Sequence, residues 1–202
     1  MSSSPVLKVE QLCLERGGRR LTEPLNLELR QGERGLIHGG NGSGKTTLME
    51  SLCGLLALTE GKVEHLGSIG YVPQEPRFPD HLTCRDYLRQ LYQLSGRPRA
   101  QMQDEVSRAL EQFQLQPHAM DKIGSLSRGW RQRMNLARAW LGQPELLLLD
   151  EPQTALDPQG MSALQTAIEQ AVQSAVLVVA PEGVGCDLMA PLLTKLKKPE
   201  QA

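Results

Sequence analysis

Apolar and polar residues alternate over "VLKVEQLCLE", residues 6–15, and this period of two predicts a β-strand. "LTEPLNLELR", 21–30, alternates again, with Pro24 near its start, where an edge strand tolerates it. "ERGLIHGG" (33–40), "ELLLLDEP" (145–152) and "AVLVVAP" (175–181) are instead continuous apolar runs. Such runs suit strands of a parallel sheet covered on both faces. "SIGYVPQ", 68–74, predicts a further short strand closed by Pro73. Spacings of three and four predict helices in "KTTLMESLCGLL" (45–56), stopping near Gly54, and in "GMSALQTAIEQAV" (160–172).

Between these segments the character changes. "TCRDYLRQLYQL", "RAQMQDEVSRALEQFQL" and "RGWRQRMNLARAWLG" carry helical periodicity with charged outer faces. The expected fold class is α/β, with one domain over 1–202. Residues 1–75 and 144–202 form its core, which has a mostly parallel sheet and N-terminal antiparallel strands. Residues 76–143 form an inserted helical subdomain. The polar tail "KLKKPEQA" predicts a frayed end.

Composition narrows the functions available. Lys and Arg total 22 against 23 Asp and Glu, a net charge of −1 in 202 residues, so no nucleic-acid partner is expected. Cys13, Cys53, Cys84 and Cys186 are widely spaced, which predicts reduced thiols rather than a zinc site or a disulfide framework. "MSSSPVLKVE" lacks the pattern of a signal peptide, and no apolar run approaches a membrane span of roughly 20 residues. The expected location is cytoplasmic.

The chemistry begins at "HGGNGSGKTT". Gly39, Gly44, Lys45 and Thr46 fit G-x-x-x-x-G-K-[ST] between a predicted strand and a predicted helix, the context a phosphate-binding loop needs. The core is therefore expected to be that of a P-loop NTPase. Gly39, Gly40, Asn41, Gly42, Ser43, Gly44, Lys45, Thr46 and Thr47 are the candidate nucleotide-binding residues. Glycines let backbone N–H groups curl around phosphates, and the helix N-terminus adds partial positive charge. Lys45 supplies a point charge for the β- and γ-phosphates, and the Thr46 hydroxyl is a Mg²⁺ ligand. Asp150 and Glu151 end a predicted buried strand, and ligands of open α/β sheets gather at such carboxyl ends. Asp150 is placed to hold Mg²⁺ through water, and Glu151 to act as general base on an attacking water. ATP and Mg²⁺ are the expected cofactors.

Three more stretches complete a pattern: Gln74 in "YVPQ", "LSRGW" at 126–130 and "TALD" at 154–157. Their order around a helical insertion resembles the ATP-binding subunits of ABC transporters over nearly the whole chain. The resemblance implies that Gln74 senses the γ-phosphate and Mg²⁺ and couples the helical subdomain to the rest. It implies that Ser127 and Gly129 bind the γ-phosphate of ATP held by a second copy, and that Asp157 communicates across that dimer. The implied partners are a second ATPase subunit, identical or paired, and an integral-membrane permease. The chain would then sit peripherally on the inner face of the membrane. Local likenesses point to three branches: the haem exporter of cytochrome c maturation, metal importers and ABC-2-type exporters.

The pattern is departed from in three places. Arg128 and Trp130 stand where the family signature L-S-G-G-Q has glycine and glutamine. Arg128 and Arg131 either add charge at a phosphate or coat a solvated helix face. Arg16 stands where the family stacks an aromatic on adenine, and either lies flat on the base or is a surface residue. Pro181, followed by Glu182, stands where the family has a histidine facing the γ-phosphate. None of His38, His65, His81 and His118 lies near it in sequence. The leading expectation is a slow ATPase subunit of a transporter. The alternative is a regulatory or assembly module with a degenerate site. A soluble DNA-repair or translation ATPase is a third class, which generally needs longer insertions or two cassettes.

Overall fold

The computed structural model describes residues 4–181 and 193–195. In chain order its elements are β1 (Leu7–Cys13), β2 (Glu15–Arg16), β3 (Arg19–Arg20), β4 (Leu25–Leu29), β5 (Arg34–His38), α1 (Lys45–Leu52), β6 (Glu60–His65), β7 (Ile69–Val72), α2 (Cys84–Leu94), α3 (Met102–Gln112), α4 (Arg128–Trp140), β8 (Leu146–Asp150), α5 (Pro158–Gln170), β9 (Ala175–Ala180) and β10 (Leu193–Lys195).

A parallel sheet runs in the order β10–β5–β9–β8–β7. All five residues of β8 and all six of β9 are buried, the physical reason their sequences show no alternation. Leu147, Leu149, Val176 and Val178 pack on one face with α2, α3, α4 and α5. Leu146, Leu148, Leu177 and Val179 pack on the other with α1 and the antiparallel sheet β4–β1–β6. β4 is an edge strand and starts directly after Pro24, so the missing N–H removes no ladder bond.

β6 lies in a stretch that its sequence does not mark as a strand. Only Val63 of "EGKVEH" is half-buried, so no apolar face generates a period of two. Pairing with β1 holds it instead, with Lys8 opposite Glu64 and Glu10 opposite Lys62. Opposite charges facing across strands are favourable, and charged edges deter further pairing. The helix expected over 160–172 begins earlier, at Pro158, where Asp157 caps it by accepting from the Gly160 N–H at 2.8 Å.

Among the described residues Cys13, Cys53 and Cys84 are free thiols. No described helix is long and apolar enough to cross a membrane. Cys186 and the tail beyond Lys195 lie outside the described residues.

Candidate functional site

The phosphate loop joins β5 to α1 at the carboxyl edge of the parallel sheet. Gly42 and Gly44 adopt φ of +74° and +96°, the left-handed region that side chains disfavour. Gly44 is the N-cap of α1 and has no side chain to accept a bond, so the first amides of the helix stay available to an anion. Lys45 is 6% exposed, and its Nζ donates to the Gly39 carbonyl at 2.9 Å and the Gly40 carbonyl at 3.2 Å.

Glu151 begins the segment after β8 with φ of +48°, an unusual value for a glutamate. This conformation brings Oε1 to 3.4 Å from Lys45 Nζ, and Oε2 accepts from Gln74 Nε2 at 3.0 Å. Gln74 reaches it from the segment after β7, the strand that pairs with β8. Arg16, Leu21, Asn41, Gly42, Gly44, Lys45, Thr46, Thr47, Gln74 and Glu151 line one pocket of about 410 Å³. Gly39, Gly40 and Ser43 complete the loop. Leu21 has no marker in the sequence; it approaches through the turn after the β2–β3 hairpin, which also carries Arg16.

Asp150 is the last residue of β8 and fully buried. Burial pushes its carboxyl up to about 6 from the usual 3.8, and the Glu151 and Glu50 charges add to the rise. The Thr46 hydroxyl and the Lys45 charge oppose it. Thr46 lies beside it, yet neither carboxylate oxygen makes a hydrogen bond in good geometry. A buried carboxylate with bare oxygens next to a hydroxyl suits a hard cation such as Mg²⁺.

A testable consequence concerns the metal-free chain. Because the folded value lies above the unfolded one, the stability due to protonated Asp150 is fully present below pH 3.8. It is lost as pH rises through about 6. Asp150→Asn is therefore expected to be more stable than wild type at pH 7.5 in chelator by ~3 kcal/mol. The advantage should vanish near pH 4. Denaturant unfolding across that range checks it, and equal stability at pH 7.5 would contradict the burial account.

Ser127 and Gly129 do not line the phosphate pocket of their own chain. Ser127 is exposed and caps α4, its Oγ accepting from the Trp130 N–H at 3.4 Å. A Cβ on Gly129 would come within 3.1 Å of the Ala155 carbonyl, so α4 starts tight against the segment at 154–157. Trp130 lies between His118, at 4.3 Å, and Arg133, at 4.6 Å. Buried Arg133 reaches Asp157 at 2.6 Å. Arg131 pairs with Asp80 at 2.9 Å and lies over Phe78, so it is held within its own chain. Arg128 is exposed, in a neighbouring cavity that shares Gln74 with the phosphate pocket.

Pro181 follows β9, as the sequence implies. Space brings it a histidine that sequence distance hides: His38 Nδ1 lies 3.1 Å from the Pro181 carbonyl, because β5 and β9 are neighbours.

A profile of the ABC transporter family matches residues 22–154. Over 162 residues the chain is 36% identical to the ABC transporter ATP-binding protein YxlF of Bacillus subtilis (strain 168), covering 77% of this chain and 55% of YxlF. The chain thus spans little more than half the length of that relative. It is 37% identical over 182 residues to the zinc import ATP-binding protein ZnuC of Chromohalobacter salexigens, covering 88% of this chain and 74% of ZnuC. A solved ATP-binding subunit of an ABC transporter shares the fold with a TM-score of 0.87 over 95% of this chain and 86% of its own, at 22% identity. The matched profile runs from the turn before β4 to the segment after Glu151 and takes in the loop, Gln74, α4 and the acidic strand end: the chain belongs to the ABC transporter ATP-binding family.

Proposed function

We propose that this chain binds ATP with Mg²⁺, hydrolyses it slowly, and does so as the ATP-binding subunit of a membrane transporter. The observation that carries this reading is Glu151, held between Lys45 at 3.4 Å and Gln74 at 3.0 Å at the mouth of the phosphate loop. Family membership supports it.

The phosphate loop and Lys45 hold the β- and γ-phosphates, and Arg16 lies against the base. The triphosphate then competes with Glu151 for Lys45 and leaves a carboxylate oxygen to accept from water. Asp150 and Thr46 hold Mg²⁺, which when bound neutralises charge on the β- and γ-phosphate oxygens. Water oxygen attacks the γ-phosphorus, its proton passes to Glu151, and the bond to the β-phosphate oxygen breaks to leave ADP. Gln74 orients Glu151 throughout.

Ser127 and Gly129 stand outside their own chain's pocket, which is what a contribution to a second copy's nucleotide requires. The proposed assembly is a head-to-tail pair of ATPase subunits on an integral-membrane permease, peripheral to the inner face of the membrane. The second reading, a regulatory or assembly module, draws on Pro181. Proline there offers no side-chain donor to a γ-phosphate.

Steady-state ATP hydrolysis by wild type and Pro181→His, alone and with the permease in lipid, tests both readings. Wild type is expected to turn over slowly, and Pro181→His about 10-fold faster, the lower end for one hydrogen bond to a charged group. Wild-type turnover no higher than that of Glu151→Gln in the lipid complex would replace hydrolysis with the regulatory reading.

A further inference from the structure

α4 turns two amides into the core. Gln132 is 4% exposed and Asn135 fully buried. Gln132 Nε2 donates to the Pro152 carbonyl at 2.8 Å. Asn135 Nδ2 donates to the Pro73 carbonyl at 2.9 Å and to Gln132 Oε1 at 3.2 Å. Both outer acceptors are carbonyls, so each amide must present its NH₂ group to them, which fixes the direction of the whole chain of bonds.

The acceptors flank the proposed chemistry. Pro73 precedes Gln74, and Pro152 follows Glu151. With the Gln74–Glu151 bond, a closed ring results: α4, Pro73, Gln74, Glu151, Pro152, and back to α4. Arg133 adds a second tie from α4, to Asp157.

Packing does not account for Asn135. Its Oδ1 has no hydrogen-bond partner among the described residues. An unpaired buried amide oxygen is destabilising, whereas an alanine would take the donor away from the Pro73 carbonyl and Gln132 Oε1. The donor group is therefore what this side chain contributes.

We propose that Asn135 and Gln132 are positioning residues for hydrolysis. Acting through the carbonyls of Pro73 and Pro152, they set Gln74 against Glu151. The proposal rests on the hydrolysis reading above and adds the device that orients its groups.

The test uses the full chain with Asn135→Ala, and Gln132→Met as a second variant of matching length. Nucleotide affinity is expected to stay within about 2-fold of wild type, because the phosphate loop is untouched. The value of kcat is expected to fall about 10-fold, since small misplacements of a reacting group are costly. In a Gln74→Ala background, where the ring is already open, Asn135→Ala should cause no further loss. Hydrogen exchange in the nucleotide-free variants should quicken in the segments after Pro73 and Pro152. An unchanged kcat in both variants, a loss that adds in full to that of Gln74→Ala, or unaltered exchange overturns the proposal. If wild type itself does not hydrolyse ATP, the hydrolysis reading falls, and the exchange measurement alone shows whether the amides hold the two segments.

Discussion

A Glu151→Gln chain is expected to bind ATP as wild type does and to turn it over about 10²–10⁴-fold more slowly, the usual worth of a positioned general base. The amide keeps the shape of the carboxylate and can still meet Gln74. It cannot take a proton from water. It also removes a negative charge 3.4 Å from Lys45, so the phosphates no longer compete with that charge for the cation. Bound nucleotide should therefore persist, and with it any dimer that the nucleotide bridges. Steady-state hydrolysis and size-exclusion chromatography with ATP check the two halves. Undiminished turnover would assign the base elsewhere. A chain that stays monomeric at saturating ATP, even beside the proposed permease, would count against pairing around the nucleotide.

Lys45→Ala has its largest expected effect on binding. Lys45 is the buried cation of the pocket, and the exposed Arg16 is the other basic residue lining it. Truncating one partner of a buried, hydrogen-bonded charge pair typically costs about 2–5 kcal/mol, which is roughly 30-fold to 5,000-fold in affinity. Calorimetric titration with ATP measures it, with circular dichroism as the check on folding. The core clusters on either face of the sheet do not include Lys45, so the fold should survive. Unchanged affinity in a folded variant would refute the phosphate-loop assignment.

The parts of this site that sequence reveals are those built from consecutive residues. The loop at 39–47 and the pair Asp150–Glu151 announce themselves because a turn, a strand end and a helix start must each be written locally. Ser127 and Asp157 are legible through the order of the motifs around them; that each caps a helix is what the structure adds. What stays hidden is assembled across the chain. His38 and Pro181 meet although 143 positions separate them. Gln132 and Asn135 look like ordinary polar residues of an amphipathic helix until the fold turns them inward onto Pro73 and Pro152. β6 escapes for an energetic reason: its backbone is paired, but its side chains bury almost nothing. The small β2–β3 hairpin, two residues a strand, is too short for any periodicity to register.

The strand that carries the phosphate loop has late neighbours. β5 lies between β9 and β10, and both follow every described helix of the chain. On the ribosome, β1 and β4 can pair as soon as they emerge, and β6 joins them a short stretch later. β5 must wait while the whole helical block, β8 and α5 are made, because its partners are distant in sequence. The loop at its end is then a sequence without a scaffold. The geometry of the loop thus waits for β9, and a fragment that stops short of that strand lacks the scaffold on which the loop is held.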